Sequence, residues 1–311
     1  MIPIEKVGII GAGAMGSFYA SKFYEMDSQC VSLIARGERF EKLKKNGLVV
    51  NGKAYPFRVV NPDKHRESPD LVIVAVKHHH LPQAIEDLRN LVGPDTQILS
   101  VMNGIDSEES IGSVYGMDRV LYGVALGIDA VRSHNSVTYS KEGILFFGEA
   151  KNNPPSDRVV AVKEIFDRAD IVSDVPEDMI RVLWRKFMIN VGVNQISAVL
   201  RAPYGVFIRV KEAGELMEAA MREVIAIAET AHVDLREDDI KDWYHVMSNL
   251  SPTGKTSMLQ DVEAGRKTEV EMFAGRVIQM GRQYGIPTPV NDLVFKIVKV
   301  LEKTQISQPH N

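Results

Sequence analysis

The chain has one cysteine among its 311 residues. That excludes an intramolecular disulfide and any metal site built from several thiolates. Cys30 lies in an apolar run, Cys30 to Ala35, and is expected to be a buried structural thiol. No apolar stretch approaches the ~20 residues of a membrane span. Basic and acidic residues number 37 and 41, a net charge of −4. There is therefore no basic excess of the kind that binds nucleic acid. Low-complexity tracts and short repeats are also missing. The start of the chain lacks a basic region followed by an apolar leader. These absences predict a cytoplasmic protein with neither a nucleic-acid nor a membrane partner. What is present is an ordinary globular composition, 45% hydrophobic and 25% charged, in a chain long enough for two domains.

The most informative segment opens the chain. A short apolar run, Val7 to Ile10, meets Gly11, Gly13 and Gly16 at GxGxxG spacing, and a helix-compatible stretch, Ser17 to Tyr24, follows. In this strand–turn–helix unit the first glycine makes a tight turn and the second lets backbone approach a pyrophosphate. The third lets helix and strand pack closely. The turn from Gly11 through Ala12, Gly13, Ala14 and Met15 to Gly16 is thus a candidate dinucleotide site, with N–H donors at the helix start facing the anion. The next predicted strand, Cys30 to Ala35, ends at Arg36. An acidic residue there would accept from a ribose 2′-OH, whereas an arginine matches a 2′-phosphate. NADP(H) is therefore expected over NAD(H), with Arg39 or Lys42 assisting Arg36.

Strand and helix signals alternate through the first half. Strands are expected at Leu71 to Val76, Thr96 to Met102, Val120 to Ile128 and Ile171 to Val175. Helices are expected over Leu81 to Leu91 and from Pro154 to about Arg168. Val137 to Tyr139 and Ile144 to Phe147 read as an antiparallel pair around Lys141–Gly143. After Pro176 the strand signals fade. Helical periodicity runs over Asp178 to Val199, Glu212 to Ala231, Glu237 to Leu250 and Glu269 to Tyr284. The expected fold class is α/β: an N-terminal Rossmann-type doubly wound sheet over residues 1–176 and a C-terminal all-helical domain over residues 177–311. The polar tail from Ile306 to Asn311 is expected to fray. A helical domain of this length is compatible with a homodimer.

In the second half, Lys186, Asn190 and Asn194 recur every four residues among Phe187, Met188, Ile189, Val191 and Val193. On an α-helix each such step drifts by about 40°, so the three share a stripe. A lysine there can simply extend its amine to solvent. With a cofactor motif upstream, the alternative gains weight: burial lowers an amine's pKa and suits it to proton transfer. Ser257 sits where a polar loop meets a helix and Glu269 near a helix start, so capping accounts for either one. His78, His79 and His80 form an adjacent run without an accompanying acidic or cysteine set and are expected to be a solvated loop. No metal site is expected.

Taken in order, several segments resemble the ketopantoate reductase family. They are the Gly11–Gly16 turn, Arg36, Val76 with Lys77, Asn103 with Gly104, and Lys186 with Asn190 and Asn194. Ser257 to Asp261, Thr268 with Glu269 and Gly285 to Asn291 complete the set. The resemblance covers nearly the whole chain. It implies a 2-oxo acid substrate reduced at the expense of NADPH, with Lys186 as general acid and Glu269 holding the active arrangement. Asn103, Asn190, Asn194 and Ser257 would bind substrate. Lys77, Asn103, Arg36 and the glycine turn would hold the cofactor, with the active site in a cleft between the domains. Three other readings remain. One is a reductase of other branched 2-oxo acids. Another is a 3-hydroxyacid dehydrogenase of the 6-phosphogluconate type, against which Ser257 to Asp261 and Glu269 argue. The third is a non-catalytic NADPH-binding regulator.

Overall fold

The computed structural model describes residues 3–306; Ser307 to Asn311, most of the expected frayed tail, lie outside them. The chain divides into two compact units, one ending at Leu183 and the other starting at Trp184. The division falls inside the helix Met179–Ile189 rather than in a linker at the expected 176/177 junction.

The first unit contains β1 (Val7–Ile10), α1 (Ala14–Met26), β2 (Val31–Ile34), α2 (Gly37–Asn46), β3 (Leu48–Val50), β4 (Lys53–Tyr55), β5 (Arg58–Val60) and β6 (Leu71–Val74). It continues with β7 (Gln97–Ser100), β8 (Val120–Leu126), β9 (Val131–Ser133), β10 (Ser136–Thr138), β11 (Ile144–Gly148) and β12 (Ser173–Asp174). Eight strands form one sheet in the order β12-β11-β8-β7-β6-β1-β2-β5. Strands β5, β2, β1, β6, β7 and β8 pair in parallel. The sheet is covered on both faces, which is why β1 and β6 are apolar at every position and fully buried. Phe18, Tyr19 and Phe23 of α1 are buried against one side, together with Phe147 and Phe166.

One expected pairing is wrong. Val137 to Tyr139 and Ile144 to Phe147 do not form a hairpin. β10 pairs with β9 and β3 in a separate four-stranded sheet, whereas β11 returns antiparallel to β8. Residues 127–143 are thus an excursion out of the main sheet, closed at its neck by Asp129. Its carboxylate accepts from Ser140 N at 2.7 Å and Lys141 N at 2.8 Å. Gly143 (φ +59°) turns the chain back where a Cβ would lie 2.1 Å from Leu126 O.

In the second unit no described residue lies in a strand. Its helices include Gln195–Leu200, Lys211–Thr230, Glu237–Ser248, Ser257–Glu263, Arg276–Tyr284 and Pro289–Ile306. The expected unbroken α-helix over Asp178 to Val199 is interrupted: Asn190–Asn194 form a π-helical turn, and so do Glu271–Gly275. The first π turn packs on Lys211–Thr230 through Gly192, where a Cβ would come within 2.6 Å of Met221 and 3.1 Å of Met217 O. Among the described residues, no helix is long and apolar enough to cross a membrane.

A single buried amide joins the two π turns. Gln195 is fully buried. Its Nε2 donates to Val191 O at 2.8 Å and to Asn291 Oδ1 at 3.2 Å, and its Oε1 accepts from Ala274 N at 2.8 Å. Asn291 is itself held by Glu223, which accepts from Asn291 Nδ2 at 2.7 Å and Asn291 N at 3.0 Å. A methionine fills similar volume but leaves these buried groups unpaired. Gln195→Met should therefore destabilise the protein by about 2–4 kcal/mol. Urea unfolding followed by circular dichroism measures this, and a loss below about 0.5 kcal/mol would show that the amide is not a staple.

Candidate functional site

The glycine turn has the geometry its spacing predicts. Gly11 has φ +105°, and a Cβ on it would lie 2.5 Å from Ala75 O. A Cβ on Gly16 would lie 2.0 Å from Gly11 O, so helix and strand approach to backbone contact. Gly13 differs: nothing lies within 4 Å of its Cβ position. The open side of the turn is therefore at Gly13, the N-cap of α1, which has neither a capping side chain nor an acid in its first turn. The first N–H groups of α1, from Ala14 to Gly16, face that side with the positive end of the helix dipole uncompensated. These residues fit a dinucleotide pyrophosphate.

Arg36 lies two residues beyond β2, at the N-cap position of α2, and makes no side-chain capping bond. Its Nη2 lies 3.1 Å from Asp63 Oδ1 and its Nε 2.7 Å from Asp87 Oδ1. Arg39, in the first turn of α2, donates from Nη2 to Ala12 O at 2.6 Å. Lys42 pairs with Glu38 at 2.6 Å on the exposed face of the same helix. Lys77 is exposed just beyond β6 and precedes a 3₁₀ turn formed by His78–His80. The His79 and His80 ring centroids lie 4.1 Å apart with the planes tilted by 53°. Among the described residues, no group of three or more His, Cys, Asp or Glu side chains is placed to hold a metal ion. Asn103 is half-buried after β7, next to Gly104 at φ +95°. Cys30 is buried, and desolvation pushes its thiol up to about 11.

In the helical unit, Asn190 and Asn194 are buried and Asn194 links two partners. Its Nδ2 donates to Asn190 Oδ1 at 3.2 Å and to Ser257 Oγ at 3.5 Å. Ser257 does not cap its helix. Thr256 does so, accepting from Leu259 N at 3.1 Å, which leaves the exposed Ser257 hydroxyl to the asparagines. The π turn matters here. A four-residue α step overshoots one turn by about 40°. A π turn bonds i to i+5 and is wider, so a four-residue step falls short of a full turn. The drift from Lys186 to Asn190 is thus reversed between Asn190 and Asn194, and the stripe straightens.

Lys186 is half-buried on the helix that leads into the first π turn. Burial pulls its pKa down to about 8, and the charge of Glu269 acts in the opposite direction. Glu269 is 9% exposed, and its carbonyl starts the second π segment by accepting from Met272 N and Phe273 N. The residue before it, Thr268, donates from N at 2.8 Å and Oγ1 at 2.7 Å to Glu302 Oε1 on the last helix. Lys299 Nζ donates to Glu302 at 2.9 Å and to Glu271 at 2.6 Å. Asp261 accepts from Arg266 Nε at 2.9 Å and is a loop anchor. The helical unit therefore assembles a tunable amine, a carboxylate, two carboxamides and a hydroxyl. Gln195 and Glu302, which position them, carry no motif. The one sign of Gln195 is a second polar side chain beside Asn194, one position off the stripe.

Comparison with known proteins identifies the family to which both units belong. The profile described as "Ketopantoate reductase PanE/ApbA" matches residues 7–152. That described as "Ketopantoate reductase PanE/ApbA C terminal" matches residues 178–302. A 2-dehydropantoate 2-reductase of Pyrococcus horikoshii is 28% identical over 303 residues, covering 96% of this chain and 97% of the relative. The crystal structure of a PanE/ApbA family ketopantoate reductase from Ralstonia eutropha superposes with a TM-score of 0.85 at 23% identity, covering 97% of this chain and 99% of that one. A ternary structure of D-mandelate dehydrogenase with NADH and anilino(oxo)acetate gives 0.86 at 22% identity, covering 97% and 100%. With both profiles matched in order across the two units, the chain belongs to the ketopantoate reductase family.

Proposed function

We propose that this protein reduces 2-dehydropantoate to pantoate with NADPH, a step toward pantothenate and coenzyme A. What supports the reading is the half-buried Lys186, whose amine burial lowers to about 8 against the charge of Glu269, in the unit that also links Asn190, Asn194 and Ser257. The relatives' names supply the substrate, and the glycine turn supplies the dinucleotide class.

When bound, the dinucleotide supplies hydride to the ketone carbon of the keto acid. The N–H groups of Ala14 to Gly16 would hold its pyrophosphate, and Arg36, released in part from Asp63 and Asp87, would meet a 2′-phosphate together with Arg39. Lys77 and Asn103 would contribute to holding the same cofactor, and Asn103 would also contact the substrate. Negative charge develops on the ketone oxygen as hydride arrives. Lys186 stabilises that oxygen and gives it a proton from Nζ. Glu269 keeps the amine protonated near neutral pH by raising a pKa that burial depresses. Asn190, Asn194 and Ser257 orient the substrate's carboxylate and hydroxyl groups, an arrangement fixed before the reaction because their mutual bonds are already made.

The neighbour holding anilino(oxo)acetate favours a second reading, reduction of other 2-oxo acids on the same scaffold. One methyl or methylene shifts specificity by only about 1–3 kcal/mol. Steady-state kinetics with ketopantoate beside 2-oxoisocaproate decides: the higher kcat/KM should belong to ketopantoate, and the reverse ranking assigns the second reading. NADPH should likewise exceed NADH in kcat/KM.

Two further outcomes test the amine. Reductive kcat/KM should fall as pH rises through about 8, since the proton donor is the ammonium form. Glu269→Gln removes the charge that holds this pKa up, so the falling limb should move to lower pH. An unmoved limb would separate Glu269 from the amine. Lys186→Met should lower kcat by roughly 10²–10⁴ while NADPH affinity, measured by fluorescence titration, changes less than about threefold. Near-normal turnover in that variant removes Lys186 as the donor.

A further inference from the structure

Two arginines converge on one carbonyl of the glycine turn. Arg39 of α2 donates to Ala12 O from Nη2 at 2.6 Å, and Arg132 of β9 donates to the same oxygen from Nη1. Arg132 is aimed by its own hairpin: its Nε donates to His134 O at 2.9 Å, across the turn between β9 and β10. The second sheet, which pairs β10 with both β9 and β3, therefore delivers a guanidinium to the rim of the first.

Both side chains are half-buried, and among the described residues neither forms an ion pair with a carboxylate. Burial disfavours the charged form of each, and the charge of Arg39 adds to the effect on Arg132. A single carbonyl can accept from both guanidiniums but neutralises neither. Arg36 contrasts with them: its charge is already met by Asp63 and Asp87. Two uncompensated planar forks on one point fit an anion with several acceptor oxygens, which is the chemistry of a phosphate monoester.

Position distinguishes the two kinds of phosphate in a dinucleotide. The pyrophosphate belongs to the N–H groups at the start of α1. Arg39 lies just beyond β2, at the end where the adenosine ribose and its 2′ substituent are read. We propose that Arg39 and Arg132 form a clamp for the 2′-phosphate of NADPH, and that Arg132 makes the second sheet a determinant of cofactor choice. The proposal rests on the reading of a nicotinamide dinucleotide at the glycine turn and adds to it which charges select the phosphorylated form.

The test is equilibrium titration of the full chain with NADPH, NADH, 2′,5′-ADP and 5′-ADP, followed by fluorescence or calorimetry. Arg132→Met and Arg39→Met should each raise Kd for NADPH and 2′,5′-ADP roughly tenfold or more, while Kd for NADH and 5′-ADP stays within about twofold. Arg132→Lys keeps a charge without the fork and should recover part of the loss. If Arg132→Met does not fold, Arg39→Met and Arg132→Lys decide by the same comparison. Equal losses for the phosphorylated and unphosphorylated ligands overturn the proposal by making the pair a pyrophosphate or folding element. Unchanged NADPH affinity overturns it outright. A wild-type protein that binds NADH as tightly as NADPH overturns the cofactor reading itself, whatever the variants do.

Discussion

The two π turns of the helical unit are tied together by the three hydrogen bonds of the Gln195 amide. One end of that amide bonds Val191 O inside the first π turn, and the other bonds Ala274 N inside the second. Lys186, Asn190 and Asn194 lead into or lie on the first segment, and Glu269 leads into the second. Helix packing alone tolerates small slides, because apolar contacts are non-directional. A buried amide with every bond made does not, since any slide leaves a polar group unpaired in low dielectric. The spacing of the two π turns is thereby held by hydrogen-bond geometry as well as by side-chain volume. Glu302 performs a related task one step further along, gripping Thr268 directly before Glu269.

The π turns account for a feature that an ideal helix cannot provide. Regular α geometry would rotate Asn194 by about 80° from Lys186 over two four-residue steps. That would carry one amide toward the packed side of the helix. A wider turn between Asn190 and Asn194 removes most of this rotation, and Gly192 lets the widened backbone settle on Lys211–Thr230 without a Cβ in the way. Local irregularity at a site of this kind follows from what the side chains must jointly reach.

Much of this was readable from the chain. Val7 to Ile10 is a strand because an apolar run meets the glycine turn. Leu71 to Val74 is one because a doubly covered strand is apolar throughout. The Lys186 stripe stands out because three polar residues recur in an apolar helix. Strands β3, β4, β5 and β9 escape because three residues cannot display a period-two pattern. The pairing of β11 with β8 escapes because a seventeen-residue excursion intervenes where a short turn is the simpler reading, and only Asp129 closing its neck shows otherwise. The helix Pro289–Ile306 is obscured by Pro287 and Pro289, although a proline at a first helical position is compatible with helix. Arg132 is the plainest case. Nothing local marks it, since its role arises from the sheet that carries it to Ala12.

The two units handle positive charge in opposite ways, and the residue types follow from that. A phosphate is anionic throughout the physiological range, so its binder must never lose its proton. It gains from a planar fork, and arginine supplies both. The proton donor to a ketone must lose its proton within the catalytic cycle and recover it near neutral pH. An arginine cannot do this, whereas a lysine depressed by burial and restrained by one carboxylate can. Under the proposed roles, exchanging the two types would leave the net charge unaltered and weaken both functions: lysine at position 132 would keep a charge but lack the bidentate geometry, and arginine at position 186 would hold its proton. Composition therefore says nothing of this division. Each cation's proposed role follows from the surroundings the fold provides: a shared carbonyl at the glycine turn for Arg39 and Arg132, and a half-buried position in the field of Glu269 for Lys186.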